Sequence, residues 1–263
     1  QVVITAQNRK PLADSILIFQ PAGPYLVADV VRISDEHGNN NQQPEPGEML
    51  SLNISLRNIG LAMAKNVTIT MVTDDNYLQT EQDTVSWPDM PAWSSVSREA
   101  AFHIRVNENV PDQHKALIKL ITHIDTCDFT SEFSFTLYAP HLLTGPVTIS
   151  DSAGNNNQQP DPGESLYISF PTTNIGHGSS GEITTRLFAS SPMVYTEMKP
   201  LLKAALMPGE TMHSVFRITP GADMLPGSSF TVFATASAGF YSSVSNTIIT
   251  MGAMAENFET GDF

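Results

Sequence analysis

The chain has 263 residues, with 13 Lys+Arg against 27 Asp+Glu and a formal net charge of −14. An acidic balance of this size excludes a binder that tracks nucleic-acid phosphates or docks electrostatically on anionic lipid. Charged residues are 15% of the total, below the roughly 25% of an average soluble domain. Ser, Thr, Asn, Gln, Gly and Pro make up the polar share, as in β-rich extracellular modules.

No run of about 18 apolar residues occurs, so no membrane-crossing helix is expected. Val2-Val-Ile-Thr5 predicts a short strand, followed by a Pro/Gly-rich stretch ending near Pro24. Residues 1–28 read as the end of an upstream domain plus a linker. The start at Gln1 shows no initiator Met, charged n-region or A-x-A site, so the chain is expected to be an excised or mature fragment.

The next segment begins a duplication. Ile33–Glu48 reads ISDEHGNNNQQPEPGE and Ile149–Glu164 reads ISDSAGNNNQQPDPGE, differing only at Glu36/Ser152, His37/Ala153 and Glu45/Asp161. The offset of 116 (Ile33 to Ile149) continues through Leu50/Leu166, Asn58-Ile-Gly60/Asn174-Ile-Gly176 and Val67/Ile183. It then drifts, pairing Phe102-His-Ile104 with Phe216-Arg-Ile218 and Phe129 with Phe240, which reads as differences in loop length. Two copies of this length predict tandem domains rather than a solenoid.

Each copy has a period of 2. Leu50, Leu52, Ile54 and Leu56 alternate with Ser51, Asn53, Ser55 and Arg57, the pattern of a half-buried strand. Val67, Ile69 and Met71 repeat it, as do Phe102, Ile104 and Val106, then Phe133, Phe135 and Leu137, and in the second copy Leu166, Ile168 and Phe170. Turn residues punctuate the runs at Asn58-Ile-Gly60, Asp74-Asp-Asn76, Pro208-Gly, Pro220-Gly and Pro226-Gly. The prediction is all-β: two tandem immunoglobulin-like β-sandwiches of about seven strands each, at 29–140 and 141–250, with 251–263 a tail or the start of a further module.

The repeated loop offers the most chemistry. A hard cation such as Ca²⁺ takes about six to eight oxygens, and the loop supplies carboxylates and amide oxygens around turning glycines. Candidate ligands are Asp35, Asn39, Asn41 and Glu48 in the first copy, and Asp151, Asn155, Asn157, Asp161 and Glu164 in the second. The alternative is a tight turn in which Asn and Gly supply left-handed residues. Trp87 and Trp93 bracket Pro88-Asp-Met-Pro91 and are candidates for a ligand-binding face that stacks on sugars or anchors a protein, or else caps of the sandwich.

Cysteine chemistry has little support. Cys127 is the single cysteine, so no internal disulfide forms. The alternation Ile121-Thr-His123-Ile-Asp125-Thr-Cys127 predicts one strand face for His123, Asp125 and Cys127, with His123 beyond contact of the thiol. The seven histidines show no zinc spacing, and no nucleophile-elbow, phosphate-loop or dinucleotide motif is present. Two sequons, Asn53-Ile-Ser55 and Asn66-Val-Thr68, would matter only in a eukaryotic secretory setting.

The pattern Ser-Asp-x-x-Gly-Asn-Asn-Asn…Pro-Glu/Asp-Pro-Gly-Glu, with its alternating strand and Asn-Ile-Gly, resembles bacterial immunoglobulin-like modules of secreted peptidases. The nearest resemblance is to the non-catalytic region of gingipain-type (clan CD) cysteine peptidases and related surface proteins. Gln7-Asn-Arg-Lys-Pro11 with Ile16-Leu-Ile-Phe19 looks like the exit from a preceding domain, and Glu256–Phe263 resembles the opening of a jelly-roll adhesin module. The resemblance implies a non-enzymatic spacer or adhesion region, extracellular or on the bacterial outer surface, with calcium a plausible cofactor. It further implies an upstream catalytic domain, a possible downstream adhesin module, and a host protein or glycan as partner. It carries over no active site.

Overall fold

The computed structural model describes residues 2–14, 21–36, 38–125, 127–197 and 200–252. Ile16–Phe19, His37 and Glu256–Phe263, singled out above, lie outside the described residues. All regular structure among the described residues is β, with no helix. The expected all-β class is what the protein has.

A short hairpin, β1 (Val2–Ile4) with β2 (Leu12–Asp14), comes first. The first repeat then gives β3 (Leu26–Ser34), β4 (Met49–Asn58), β5 (Thr68–Val72), β6 (Leu78–Thr80), β7 (Thr84–Ser86), β8 (Ser95–Val106), β9 (His114–His123) and β10 (Asp128–Leu137). These form two sheets, ordered β3-β4-β8-β6 and β10-β9-β5-β7. The second repeat gives β11 (Leu142–Thr144), β12 (Thr148–Ser150), β13 (Leu166–Asn174), β14 (Ile183–Ala189), β15 (Val194–Thr196), β16 (Leu201–Lys203), β17 (Thr211–Pro220), β18 (Ser229–Ala238) and β19 (Tyr241–Thr250). Its sheets run β11-β13-β17-β15, with β12 also on β13, and β16-β14-β18-β19. Each repeat thus follows the two-sheet, immunoglobulin-like order.

The chain divides into two compact units: Gln1–Asn40, Met49–Arg105 and Leu117–Ser134 in the first, and Asn41–Glu48, Val106–Ala116 and Phe135–Phe263 in the second. In the first, the inward phase of the alternation is buried: Leu50, Leu52, Ile54 and Leu56 from β4 are core residues, as are their sheet neighbours Phe102 and Ile104 on β8 and Ile69, Met71, Ile118 and Leu120 on β5 and β9 of the other sheet. In the second, Leu166, Ile168, Phe170, Leu187, Phe216, Ile218, Val232 and Ile249 form the main cluster. Phe170 and Phe216 stack at 5.9 Å with a 5° interplanar angle at its centre.

The drift in the repeat offset has a different origin from the one expected. Leu52 pairs with Phe102 but Ile54 pairs with Arg98, so β8 carries a two-residue bulge opposite β4. In the second copy β13 and β17 pair without a break from Leu166/Ile218 to Thr173/Thr211. The offset is 116 before the bulge (Ser95/Thr211) and 114 after it (Phe102/Phe216), so this drift is an insertion within a strand, not a loop. Phe129 and Phe240 do not correspond either, since Phe129 lies in β10 and Phe240 in the turn before β19.

Candidate metal and ligand sites

The two Asn-rich loops share one backbone course. Asn40 and Asn156 both have φ 58°, Gln42 and Gln158 have 65° and 66°, and Gly47 and Gly163 have 78° and 79°. Asn tolerates the left-handed region and Gly adopts it freely, which is why this composition folds into this corner. Gly38 N–H donates to Asp35 O at 2.7 Å, and Gly154 N–H to Asp151 O at 2.8 Å.

The second loop uses its oxygens on its own chain. Glu164 accepts from the main-chain N–H of Asn155 at 2.7 Å through Oε1, and of Asp161 at 3.0 Å through Oε2. Asp151 Oδ2 accepts from Gln158 N–H at 2.5 Å, and Asp161 Oδ2 from the side-chain amides of Asn155 and Asn157, each at 2.9 Å. Asn155 and Asn157 close Asx turns: Oδ1 of the first accepts from Asn157 N–H at 3.0 Å, and Oδ1 of the second from Gln159 N–H at 2.8 Å. In the first loop, Asn41 Oδ1 accepts from Gln43 N–H at 2.7 Å, and Glu48 Oε2 from Glu45 N–H at 2.9 Å. Asp35 is 3% exposed and Asn39 is exposed.

The oxygens of Asn41, Glu48, Asp151, Asp161 and Glu164 that calcium would use accept from N–H donors of their own loops. Among the described residues no three His, Cys, Asp or Glu side chains group so as to hold a metal ion. A cation entering either loop has to displace N–H partners from the same carboxylates.

A pair of residues read only as turn punctuation proves central. Asn58 and Asn174 are fully buried. The Nδ2 of Asn174 donates to Gly178 O at 2.8 Å and Leu206 O at 3.0 Å, and its Oδ1 accepts from the N–H of His141 and Gly176, each at 3.1 Å. Asn58 makes the corresponding bonds, to Ala62 O at 2.8 Å and Met90 O at 3.0 Å, and from Tyr25 N–H at 3.1 Å and Gly60 N–H at 3.0 Å. Two residues on, a Cβ on Gly176 would overlap the main chain of Ala139, Pro140 and His141, and one on Gly60 the main chain at Gly23, Pro24 and Tyr25. Hence only glycine lets the incoming strand pass so close to the asparagine. The signal was in the sequence: both asparagines continue the inward phase of their strands.

The aromatic candidates separate. Trp87 is 5% exposed, so its ring faces are inside and the pair does not form a surface platform. Its position continues the inward phase of β7, where Val85 is also buried. Trp93 is 61% exposed.

The Cys127 region is also corrected. Residues 121–127 are not one strand: β9 ends at His123, and β10 starts at Asp128. Ile124 N–H donates to Cys127 O at 3.1 Å. Cys127 is exposed, and His123 pairs through Nδ1 with Asp128 Oδ1 at 2.9 Å.

One titratable cluster lies in the second unit. Asp112 Oδ1 accepts from Ala139 N–H at 3.0 Å and His177 N–H at 3.3 Å, while Oδ2 meets His177 Nδ1 at 2.7 Å. Burial alone would raise the Asp112 pKa. The side-chain bond to His177, the main-chain N–H of Ala139, the charge of His177 and its N–H outweigh that and lower it.

No protein-family model matches the chain, and no curated protein matches it. Among solved structures it is similar to red sea bream transglutaminase at 15% identity and a TM-score of 0.32, over 84% of this chain and 31% of that one. The chain therefore spans about a third of that structure's length, and a likeness so slight carries no argument about what it does.

Proposed function

We propose that the chain is a non-catalytic tandem immunoglobulin-like spacer and adhesion region of a secreted or cell-surface bacterial protein, attached to a peptidase of the gingipain type. One observation supports this above the others. The residues the two copies share most fully, the Asn-rich loop and Asn-Ile-Gly, direct their polar atoms at their own main chain. A motif repeated for architecture is what a spacer needs, because its work is to hold shape. Calcium would stiffen the same corners only by displacing the N–H groups that Asp151, Asp161 and Glu164 now accept from.

The test is a hydrolysis assay of the purified chain on casein and fluorogenic peptides, alongside Cys127→Ala. A spacer hydrolyses neither. Turnover by the native chain that Cys127→Ala abolishes overturns the reading.

A further inference from the structure

We propose that β19 is a self-association edge: two copies of the chain pair antiparallel through β19, about a two-fold axis at Asn246, and join their β16-β14-β18-β19 sheets into one. The inference goes beyond the spacer reading and is independent of it, because hydrolysis tests one and molecular mass the other.

The edge is open, and its main chain is aimed outward. β19 is the last strand of its sheet, and among the described residues it pairs with β18 alone. The two-residue turn Gly239-Phe240 sets Ala238 opposite Tyr241, and at the far end Met251 N–H donates to Ser228 O at 2.9 Å. Odd-numbered residues therefore bond to β18, while Ser242, Val244, Asn246, Ile248 and Thr250 turn N–H and C=O to the free side. Gly252 N–H, next in that series, bonds to Pro160 O, which closes the edge just past Thr250. A row of main-chain groups left free along a strand is a template for a further strand.

Edges of this kind are normally guarded by charge, and this one is not. Tyr241–Thr250 contains no Asp, Glu, Lys or Arg, and none of the chain's 27 acidic residues lies in the four strands of that sheet. The outward side chains of β19 include Val244 and Ile248, 60% and 67% exposed, and the same face continues through the cross-strand pair Phe233/Phe188. The first repeat supplies the contrast. Its last strand, β10, holds the corresponding place: Ser131 Oγ accepts from Ala28 N–H at 3.4 Å, as Ser243 Oγ does from Thr144 N–H at 2.9 Å. Yet β10 carries exposed Asp128 and Glu132, the latter paired with Lys119 of β9 at 3.5 Å. One copy has a guarded edge and the other an apolar one.

The sequence of β19 selects the occupant. Outward from Asn246, the free-side residues are Val244 and Ile248, then Ser242 and Thr250. When the strand meets itself antiparallel with Asn246 on the axis, branched side chain faces branched and hydroxyl faces hydroxyl, as an isologous contact requires. Each facing pair also exchanges its main-chain hydrogen bonds. The open stretch from Ser242 to Thr250 is centred on that same asparagine. Two copies with a net charge of −14 each repel, so they can meet only where no charge is set against its like. β19 offers such a strip.

The experiment is sedimentation equilibrium of the whole chain from about 5 μM to 1 mM, with amide hydrogen exchange followed by ¹H–¹⁵N NMR at both ends of that range. The 28.6 kDa chain should pass to a species of twice that mass and stop there. The N–H groups of Val244, Asn246 and Ile248 should exchange at least about ten-fold more slowly at the high end, while those of Ser243, Ser245 and Thr247 are slow throughout. Asn246→Pro removes the axial N–H where an edge strand tolerates proline, and should weaken the dimer about a hundred-fold with the unfolding midpoint little changed. Val244→Lys should weaken it about ten-fold, and adding Ile248→Glu should restore it, because this register sets the two positions opposite each other. A single 28.6 kDa species up to about 1 mM overturns the proposal. A dimer that survives Asn246→Pro places the contact elsewhere and overturns it, as does the absence of rescue by the second charge. Assemblies that grow past two copies show open strand stacking rather than a closed pair, and overturn it too.

Discussion

His141 donates its main-chain N–H to the Oδ1 of Asn174 at 3.1 Å, where the strand entering the second sandwich meets the end of β13. Tyr25 does the same to Asn58 at the same distance in the first. One buried carboxamide in each copy therefore ties the entering chain, the Asn-Ile-Gly turn and a distant loop carbonyl, at Leu206 or Met90, into one knot.

Removing that carboxamide strands buried N–H and C=O groups, each worth about 1–3 kcal/mol when left unpaired. Asn174→Ala is expected to destabilise its sandwich by about 3 kcal/mol. Asn174→Asp should do nearly as badly, because it loses both donated bonds. Thermal unfolding resolves the effect, since 1 kcal/mol moves the midpoint of a domain this size by about 4–8 °C.

Gly176→Ala tests the close approach separately. Its Cβ has main chain on three sides, so the penalty should reach or exceed the roughly 1–3 kcal/mol of an overpacked core. Gly181, where a Cβ meets nothing within 4 Å, is the matched control despite its φ of 69°. Gly181→Ala should cost only about 1 kcal/mol of backbone strain. Equal midpoints for the two variants would contradict the steric account.

Glu164 accepts from two main-chain N–H groups, so Glu164→Ala should cost about 2 kcal/mol, while Glu164→Gln keeps one acceptor and costs less. Unfolding with excess Ca²⁺ and with EDTA decides whether the loops also take a cation. A site held 100-fold above its dissociation constant adds about 2.7 kcal/mol. A Ca²⁺-specific rise lost in Glu164→Gln assigns a metal to the loop, and superimposed curves assign it a corner alone.

Asp112 gives a pH dependence of definite sign. Its carboxyl is lowered in the folded state, so it binds its proton less readily there than in the unfolded chain. Its stabilising contribution is therefore fully present above the free-aspartate value of about 4 and is lost as pH falls through the lower folded value. Asp112→Asn should be less stable than the native chain at neutral pH, and the two curves should converge as pH falls through the lowered folded value. A difference that stays constant down to pH 2 would show that the effect is not titration.

The alternation made the sandwich strands legible, because each buries one face and shows the other to water. Asn58 and Asn174 were legible in the same way, since they fall on the inward phase, but a polar residue there reads as a turn until its four partners are seen. The β8 bulge was hidden for a simple reason: an insertion of two residues equals the strand period, so Phe102, Ile104 and Val106 keep their phase and the alternation shows no break. Trp87 stays open between a loop face and a cap of the sandwich in the sequence, because its neighbours Pro88 and Pro91 signal a loop while its phase with Val85 points inward. Contacts such as those of Asp112 with His177 join residues 65 positions apart and have no local signature.

The Asn-rich loops also bear on how the protein takes load. Pro160 O accepts from Gly252 N–H at 2.6 Å, just past the end of β19, and Pro44 O accepts from Tyr138 N–H at 2.8 Å, just past β10. A pull on the chain beyond Gly252 meets this clasp before it reaches the ladder of β18 with β19. The loop passes the tension to Glu164 and the start of β13 in the opposite sheet. The second corner would thus spread force over both layers of its sandwich rather than let the last strand peel from one edge.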